Sequence, residues 1–386
     1  MSMEFRWTDD QLATRARIAD FANRELDFDL IGADQAGSFD RGLWLRLAES
    51  GVLGSIAPPE HGGQGWDVMS ALLALEGLGY GCKDNGLTLA VNAQIWTVMM
   101  PIVRFGSESQ QARYLPGLAS GELIGAHALT EPNAGSDSYS LETLARRDGE
   151  GYVLNGVKSF IGMGPVCDLA LVFANTNPDH GQWGISAFLI DGDSDGLDRR
   201  EPRSKMGLRT IPMGDLVFQD CWVPEEARLG PEGAGVSISG ESLEWERSLI
   251  FASHLGSMER QLDETVAYAK QRQQFGQPIG DFQSVSNRIA DMRVRLDAAK
   301  LLMYRAAWLK SQGEEAQIES AAAKLFFSEA FLSSSLDAVR VSGGRGYLSE
   351  DEVERDLRDA VGGVIYGGTS DIQRRVIARL LGLRGV

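Results

Sequence analysis

Residues 240–250, GESLEWERSLI, hold the side chain best suited to chemistry. Glu246 is followed at once by Arg247 and then by Leu249, Ile250 and Phe251. A carboxylate entering an apolar patch loses hydration, which penalises its charged form and raises its pKa. Tuned in this way, a Glu can take a proton from carbon near neutral pH. Taken alone, the stretch favours a plainer reading, an exposed helical Glu paired with a Lys or Arg. Metal chemistry finds no support. His61, His127, His180 and His254 are scattered without HExxH, and Cys82, Cys167 and Cys221 sit far apart without CxxC. Such cysteines suit a reducing cytoplasm and give no disulfide framework.

Three further stretches are too specific to be core filler: HALTEPNAGSD (127–137), RQQFGQPIGDFQ (272–283), and SGGRGY with RDLRDAVGGVIYGGTSDIQR (342–374). Through them the sequence resembles the acyl-CoA dehydrogenase family over essentially its whole length. The resemblance implies FAD and α,β-dehydrogenation of an acyl thioester. In the first motif, opened by His127, it places Thr130 beside the flavin ring with Leu129 against it. Gly135 permits close backbone approach and Ser136 can bond a phosphate of FAD. A Gly-containing turn after a strand would explain Gly135 but not the whole run. Arg272 looks like the family arginine that reaches the FAD diphosphate of a neighbouring subunit, since a guanidinium fork matches phosphate; a solvated surface charge is the alternative. Phe275 and Gln283 would line the same site, and Gly343 and Gly344 would let backbone pass close to the cofactor. Thr369 and Asp371 would meet FAD near its ribose and diphosphate, the Asp accepting from ribose hydroxyls.

The departures from the family pattern carry as much information. Much of the family reads YEG before GT, that Glu being the catalytic base; here the order is Tyr366-Gly367-Gly368-Thr369. The isovaleryl-CoA and long-chain branches place the base on a bundle helix in an ER context, where Glu246-Arg247 falls. The resemblance therefore reverses the plainer reading and makes Glu246 the base. Losing the carboxylate at Gly367 keeps its N–H, which in the family holds the thioester carbonyl oxygen, an oxyanion-type contact. Glu244, two residues from Glu246 and so on another helix face, becomes a candidate contact to the pantetheine amide. Arg247, Tyr366 and Gly368 would also border the substrate. Phe160-Ile161-Gly162 stands where the family has Trp-Ile-Thr flanking the flavin, and Arg340 where Gln is common.

Several readings of the reaction stay open. The thioester can be carried by CoA or by a carrier protein, as in relatives that oxidise proline tethered to a peptidyl carrier protein. Electrons would pass to an electron-transfer flavoprotein or to oxygen, and the interface role of Arg272 implies a homotetramer. From another class come a flavin-dependent monooxygenase and a non-catalytic flavoprotein. Residues around Ile95 and Met99 are expected to set acyl specificity.

These groups must be positioned by a chain of 386 residues, long enough for two or three domains. Thr8-Asp9-Asp10-Gln11 fits a capping box. Helical patterns over 42–50, 69–78, 94–105 and 108–114 make residues 1–120 an all-α domain. Short β-type runs at 152–161, 169–174, 185–190 and 214–223 give 121–232 the texture of a small β-barrel or sandwich. No GxGxxG follows a strand, which disfavours a Rossmann site. Val285, Ile289, Met292, Leu296, Ala299, Met303 and Ala306 form a helix seam. Ile318, Ala322, Leu325, Leu332, Leu336 and Val339 supply another, so 233–386 reads as a four-helix bundle. The expected class is α+β, in the order α, β, α. A formal charge of −17 argues against nucleic-acid and anionic-membrane partners. No leader or bilayer-crossing run is evident, which fits a cytoplasmic protein.

Overall fold

The computed structural model describes residues 6–383. The N-terminal part is helical throughout: α1 (Asp9–Glu25), α2 (Leu30–Ala36), α3 (Arg41–Ala48), α4 (Val68–Gly81), α5 (Asn85–Ala93), α6 (Met100–Phe105) and α7 (Glu108–Ser120). The capping box forms: Gln11 N–H donates to Thr8 Oγ1 at 3.2 Å, and Thr8 N–H to Gln11 Oε1 at 3.1 Å. Between α5 and α6, residues Gln94–Met99 wind as a π-helix, a form concentrated at functional sites. The continuous helical run Asn85–Phe105 overturns one expectation, being long and apolar enough to span a bilayer. Yet 89% of that window is buried against the rest of the protein, so its hydrophobicity is spent on the core.

The middle part is one mixed eight-stranded sheet in the order β6-β7-β3-β2-β4-β5-β8, with β1 paired to β4. Its strands are β1 (Gly125–Ala128), β2 (Leu144–Asp148), β3 (Gly151–Gly162), β4 (Leu169–Asn175), β5 (Ile185–Asp191), β6 (Leu197–Arg199), β7 (Met213–Pro224) and β8 (Arg228–Leu229). The four runs anticipated from sequence are the four long strands. They alternate around Tyr152, Leu154, Phe188, Leu216 and Phe218, which are buried on one face.

The C-terminal part comprises α8 (Gly235–Leu249), α9 (Ala252–Gln271), a hairpin of β9 (Gln273–Gln274) and β10 (Gln277–Pro278), α10 (Gln283–Ser311), α11 (Gln317–Ser342), α12 (Val353–Gly363) and α13 (Ser370–Leu380). The α10 seam packs as expected through Met292, Leu296, Ala299, Met303 and Ala306. On α11 the buried face is instead Ala321, Ala323, Lys324, Phe327, Ser328, Phe331 and Ser335, while Leu336 is exposed. Small Ala and Ser side chains let neighbouring helices approach this face closely, and that contact outweighs the leucines. Glycine does the same where α4 crosses α9. An added Cβ at Gly79 would stand 1.7 Å from Ser253 O, and one at Gly256 1.9 Å from Glu76 O.

The three parts meet at a buried carboxylate cluster. Asp84 accepts from Thr210 Oγ1 at 2.7 Å, and Asn85 Nδ2 donates to Asp356 at 2.8 Å and Asp359 at 3.2 Å. Asp359 also accepts from the Leu208 N–H. Burial pushes the Asp359 carboxyl up to about 7, against ~3.9 in an unfolded chain. The folded state therefore holds a proton that the unfolded state has lost. Stability from this group is full below the unfolded pKa and disappears as pH rises through about 7. The urea midpoint of the native chain should fall across that window, whereas Asp359→Asn should flatten this component; parallel curves for the two proteins would contradict it.

Candidate active site

Glu246 lies on α8, one turn before the helix ends at Leu249. The residue as a whole is half-buried, and its carboxyl faces the Tyr366-Gly367-Gly368 turn between α12 and α13. A Cβ built on Gly367 would stand 3.4 Å from Glu246 Oε1 and 3.7 Å from Lys324 Cε. The space that a side chain at 367 would enter is thus shared by the tip of Glu246 and the stem of Lys324. Burial raises the Glu246 pKa, partly countered by Arg247 and Lys324. Gly367 and Gly368 adopt φ of 64° and 80°, a left-handed conformation natural to glycine. No acceptor for the Gly367 N–H is found among the described residues.

Lys324 was not legible as a site residue, although a lysine inside the apolar run AAAKLFF was the available signal. It is fully buried and donates to Gly363 O at 2.9 Å and Gly368 O at 2.6 Å. Gln373 adds bonds to Gly367 O at 3.0 Å and Gly368 O at 2.9 Å. Together they fix the carbonyls of the turn, and the Gly367 N–H is left without an acceptor among the described residues. Tyr366 packs on Phe251 with centroids 5.5 Å apart, and Phe251 stacks on Phe327 at 4.6 Å. Lys324→Met would leave the buried Gly363 carbonyl without a donor, costing ~1–3 kcal/mol, while Gln373 would still hold Gly368 O. It would also remove a cation that lowers the Glu246 pKa. The melting temperature should drop and the acid limb of the activity profile should move to higher pH; a lower melting temperature with an unmoved limb would separate Lys324 from Glu246.

Glu244 is not free. It pairs with Lys310 at 2.8 Å, and that ammonium lies 4.1 Å from the centroid of Trp245, whose indole stacks on Trp96 at 5.7 Å. A carboxylate held this way is a poorer partner for an incoming amide than the sequence suggested. The anticipated Ile95 and Met99 are buried in the π-helix beside Trp96.

The flavin motif is assembled by hydrogen bonds from β3. Ser159 N–H donates to Thr130 O at 2.9 Å, and Lys158 Nζ reaches Leu129 O at 3.2 Å and Glu131 Oε1 at 2.6 Å. Phe160 is 55% exposed at φ 59°, with the Arg203 guanidinium 5.3 Å from its ring centre. Strand alternation turns Ile161 the other way, into the sheet core at 2% exposure, so it cannot flank a flavin by its side chain. Leu129 is also mostly buried. His127 packs against Phe173, and its Nε2 is buried without a partner. Burial holds the imidazole neutral, with the pKa lowered to about 4.

Other cofactor candidates lie elsewhere on the surface. Phe275 is 94% exposed on the β9–β10 hairpin, with Arg272 and Gln283 exposed at its ends. Arg340 joins Arg288 and Arg295 around Asp337, at 3.2, 2.9 and 2.9 Å. Thr369 caps α13 by accepting from Ile372 N–H at 3.2 Å. Asp371 is exposed and paired with Arg374 at 2.8 Å. Ser136 is exposed. The surfaces suit FAD: an added Cβ at Gly135, Gly162, Gly343 or Gly344 meets nothing within 4 Å, and the exposed Phe160 ring offers a face for an aromatic ligand.

Comparison with known proteins shows what the chain as a whole resembles. Family profiles for acyl-CoA dehydrogenases match the N-terminal domain over residues 8–122, the middle domain over 126–221 and the C-terminal domain over 233–382. An L-prolyl-[peptidyl-carrier protein] dehydrogenase of Pseudomonas fluorescens is 44% identical over 382 residues, covering 99% of this chain and 100% of that protein. The crystal structure of the prolyl acyl carrier protein oxidase AnaB superposes with a TM-score of 0.96 at 45% identity, covering 98% of this chain and 100% of that one. A structure of PigA with FAD and proline gives 0.96 at 39% identity, covering 99% and 100%.

Proposed function

The chain belongs to the acyl-CoA dehydrogenase family, and from that premise we propose that it dehydrogenates a prolyl group held as a thioester on a carrier protein. The observation that carries the mechanism is the Glu246 carboxyl standing against Gly367. Glu246 takes the proton from Cα. Burial makes its charged form costly until substrate arrives, which keeps it basic enough for a carbon acid. The Gly367 N–H donates to the thioester carbonyl oxygen and stabilises the charge that develops there, an effect typically worth ~3–4 kcal/mol. Lys324 and Gln373 hold the turn so that this N–H points at substrate. FAD, when bound, supplies the acceptor for the β-hydrogen with its electron pair. Thr130, Phe160, Ser136 and Thr369 would hold it. Arg272 and Phe275, exposed on one chain, would reach the cofactor of a neighbouring subunit in a homotetramer.

Similarity to the prolyl dehydrogenases favours an aminoacyl over a fatty acyl substrate. The test is anaerobic bleaching of the flavin by L-prolyl carrier protein beside a series of acyl-CoAs. Rapid bleaching by prolyl carrier protein is expected. Bleaching by acyl-CoAs alone would move the assignment to free CoA, and bleaching only by a nicotinamide donor would favour the monooxygenase alternative.

A further inference from the structure

Arg247 has no counterpart in the fold. Its Nε is buried without an acceptor, and no ion pair to it forms among the described residues. On its own helix, Glu244 is taken by Lys310, while Glu246 is the neighbouring carboxyl. Tyr139 approaches from the 131–143 loop, where its hydroxyl would lie 4.0 Å from a Cβ at Gly240. Lys324 approaches from α11, itself near Glu329. Tyr366 faces Glu246 from the turn after α12 and also feels Asp359. Burial disfavours the guanidinium charge, yet Glu246, Tyr139 and Glu244 all support it.

The charge balance around Glu246 follows directly. With Glu246 ionised, the site holds one anion and two cations, Arg247 and Lys324. With Glu246 protonated, it holds two cations alone. Lys324 is committed to two carbonyls, but Arg247 is not. An ammonium on the substrate would meet a like charge without enough water to screen it. A neutral amine would offer a lone pair to an unfilled donor.

We propose that Arg247 selects the substrate by charge: the site takes an α-amino thioester as the free base, its ring nitrogen accepting from the guanidinium, and turns away the ammonium form. This rests on the aminoacyl substrate argued above and adds a specificity residue to it.

The test compares L-prolyl and cyclopentanecarbonyl groups on one carrier protein, the same ring with and without nitrogen. Flavin reduction is followed by stopped flow at subsaturating substrate from about pH 6 to about pH 9, a span that brackets an α-amino group near 8. The prolyl-to-cyclopentanecarbonyl rate ratio is expected to rise about tenfold per pH unit below the amine pKa and then level. Arg247→Lys should keep that slope by keeping the charge, and Arg247→Gln should flatten it. A flat ratio in the native enzyme, or a slope surviving in Arg247→Gln, overturns the proposal. If the Gln variant does not hold FAD, the native slope decides alone. Failure of prolyl carrier protein to bleach the flavin at any pH is a different result: it removes the proposed function, and this inference with it.

Discussion

Glu246→Gln is expected to keep its FAD and its fold and to lose flavin reduction by thioester by ~10²–10⁴-fold, the range for a positioned general base. The amide has nearly the shape of the carboxyl, so it can fill the same space against Gly367 and Lys324. It cannot accept a proton from carbon. The flavin spectrum and melting temperature report that the protein is intact, and anaerobic stopped flow reports the chemical step. The native enzyme should show an acid limb set by a Glu pKa above its ordinary value, because burial raises it. The residual rate of the variant should lack that limb. A variant reduced at the native rate would remove Glu246 from the mechanism.

Putting a carboxylate back at the turn should harm the enzyme rather than help it. In Gly367→Glu the new Cβ would stand 3.4 Å from Glu246 Oε1, so two carboxyls would compete for one position. Like charges this close cannot both ionise, and one is driven to hold a proton. The φ of 64° at Gly367 adds strain of ~1–2 kcal/mol for an L-residue. Together these predict a loss of roughly 10²-fold or more in flavin reduction, comparable to losing a general base. The double variant Glu246→Gly/Gly367→Glu should recover part of what Glu246→Gly alone loses, since it restores one carboxyl to the shared space. If the double variant is no faster than Glu246→Gly, the two positions do not serve one site.

Much of this protein was legible before any coordinates. The four long strands, the Thr8 cap, the α10 seam and the three-part order all follow from local pattern. In those places a side chain's periodicity and its burial agree. The α11 face was misread because periodicity tracks large apolar residues, whereas that helix packs through Ala and Ser. The direction of the Ile161 side chain was hidden for a related reason: a motif names neighbours along the chain, but a strand turns alternate side chains to opposite faces. The partner of Glu244 went unread because Lys310, 66 positions away, leaves no trace in local sequence.

What the sequence determined by itself was the chemistry on offer: a glutamate within a helix, a glycine pair where a carboxylate is common, and motifs suited to a flavin. Only the tertiary structure put the glutamate beside the glycine pair, because α8, α11 and the turn after α12 must pack together before Glu246, Lys324 and Gly367 share a space. It also decided which charges are balanced. Lys310 neutralises Glu244, Lys324 is bound to backbone carbonyls, and Arg247 has no ion-pair partner among the described residues. Pairing of charges is a property of distance in space, and distance along the chain does not encode it.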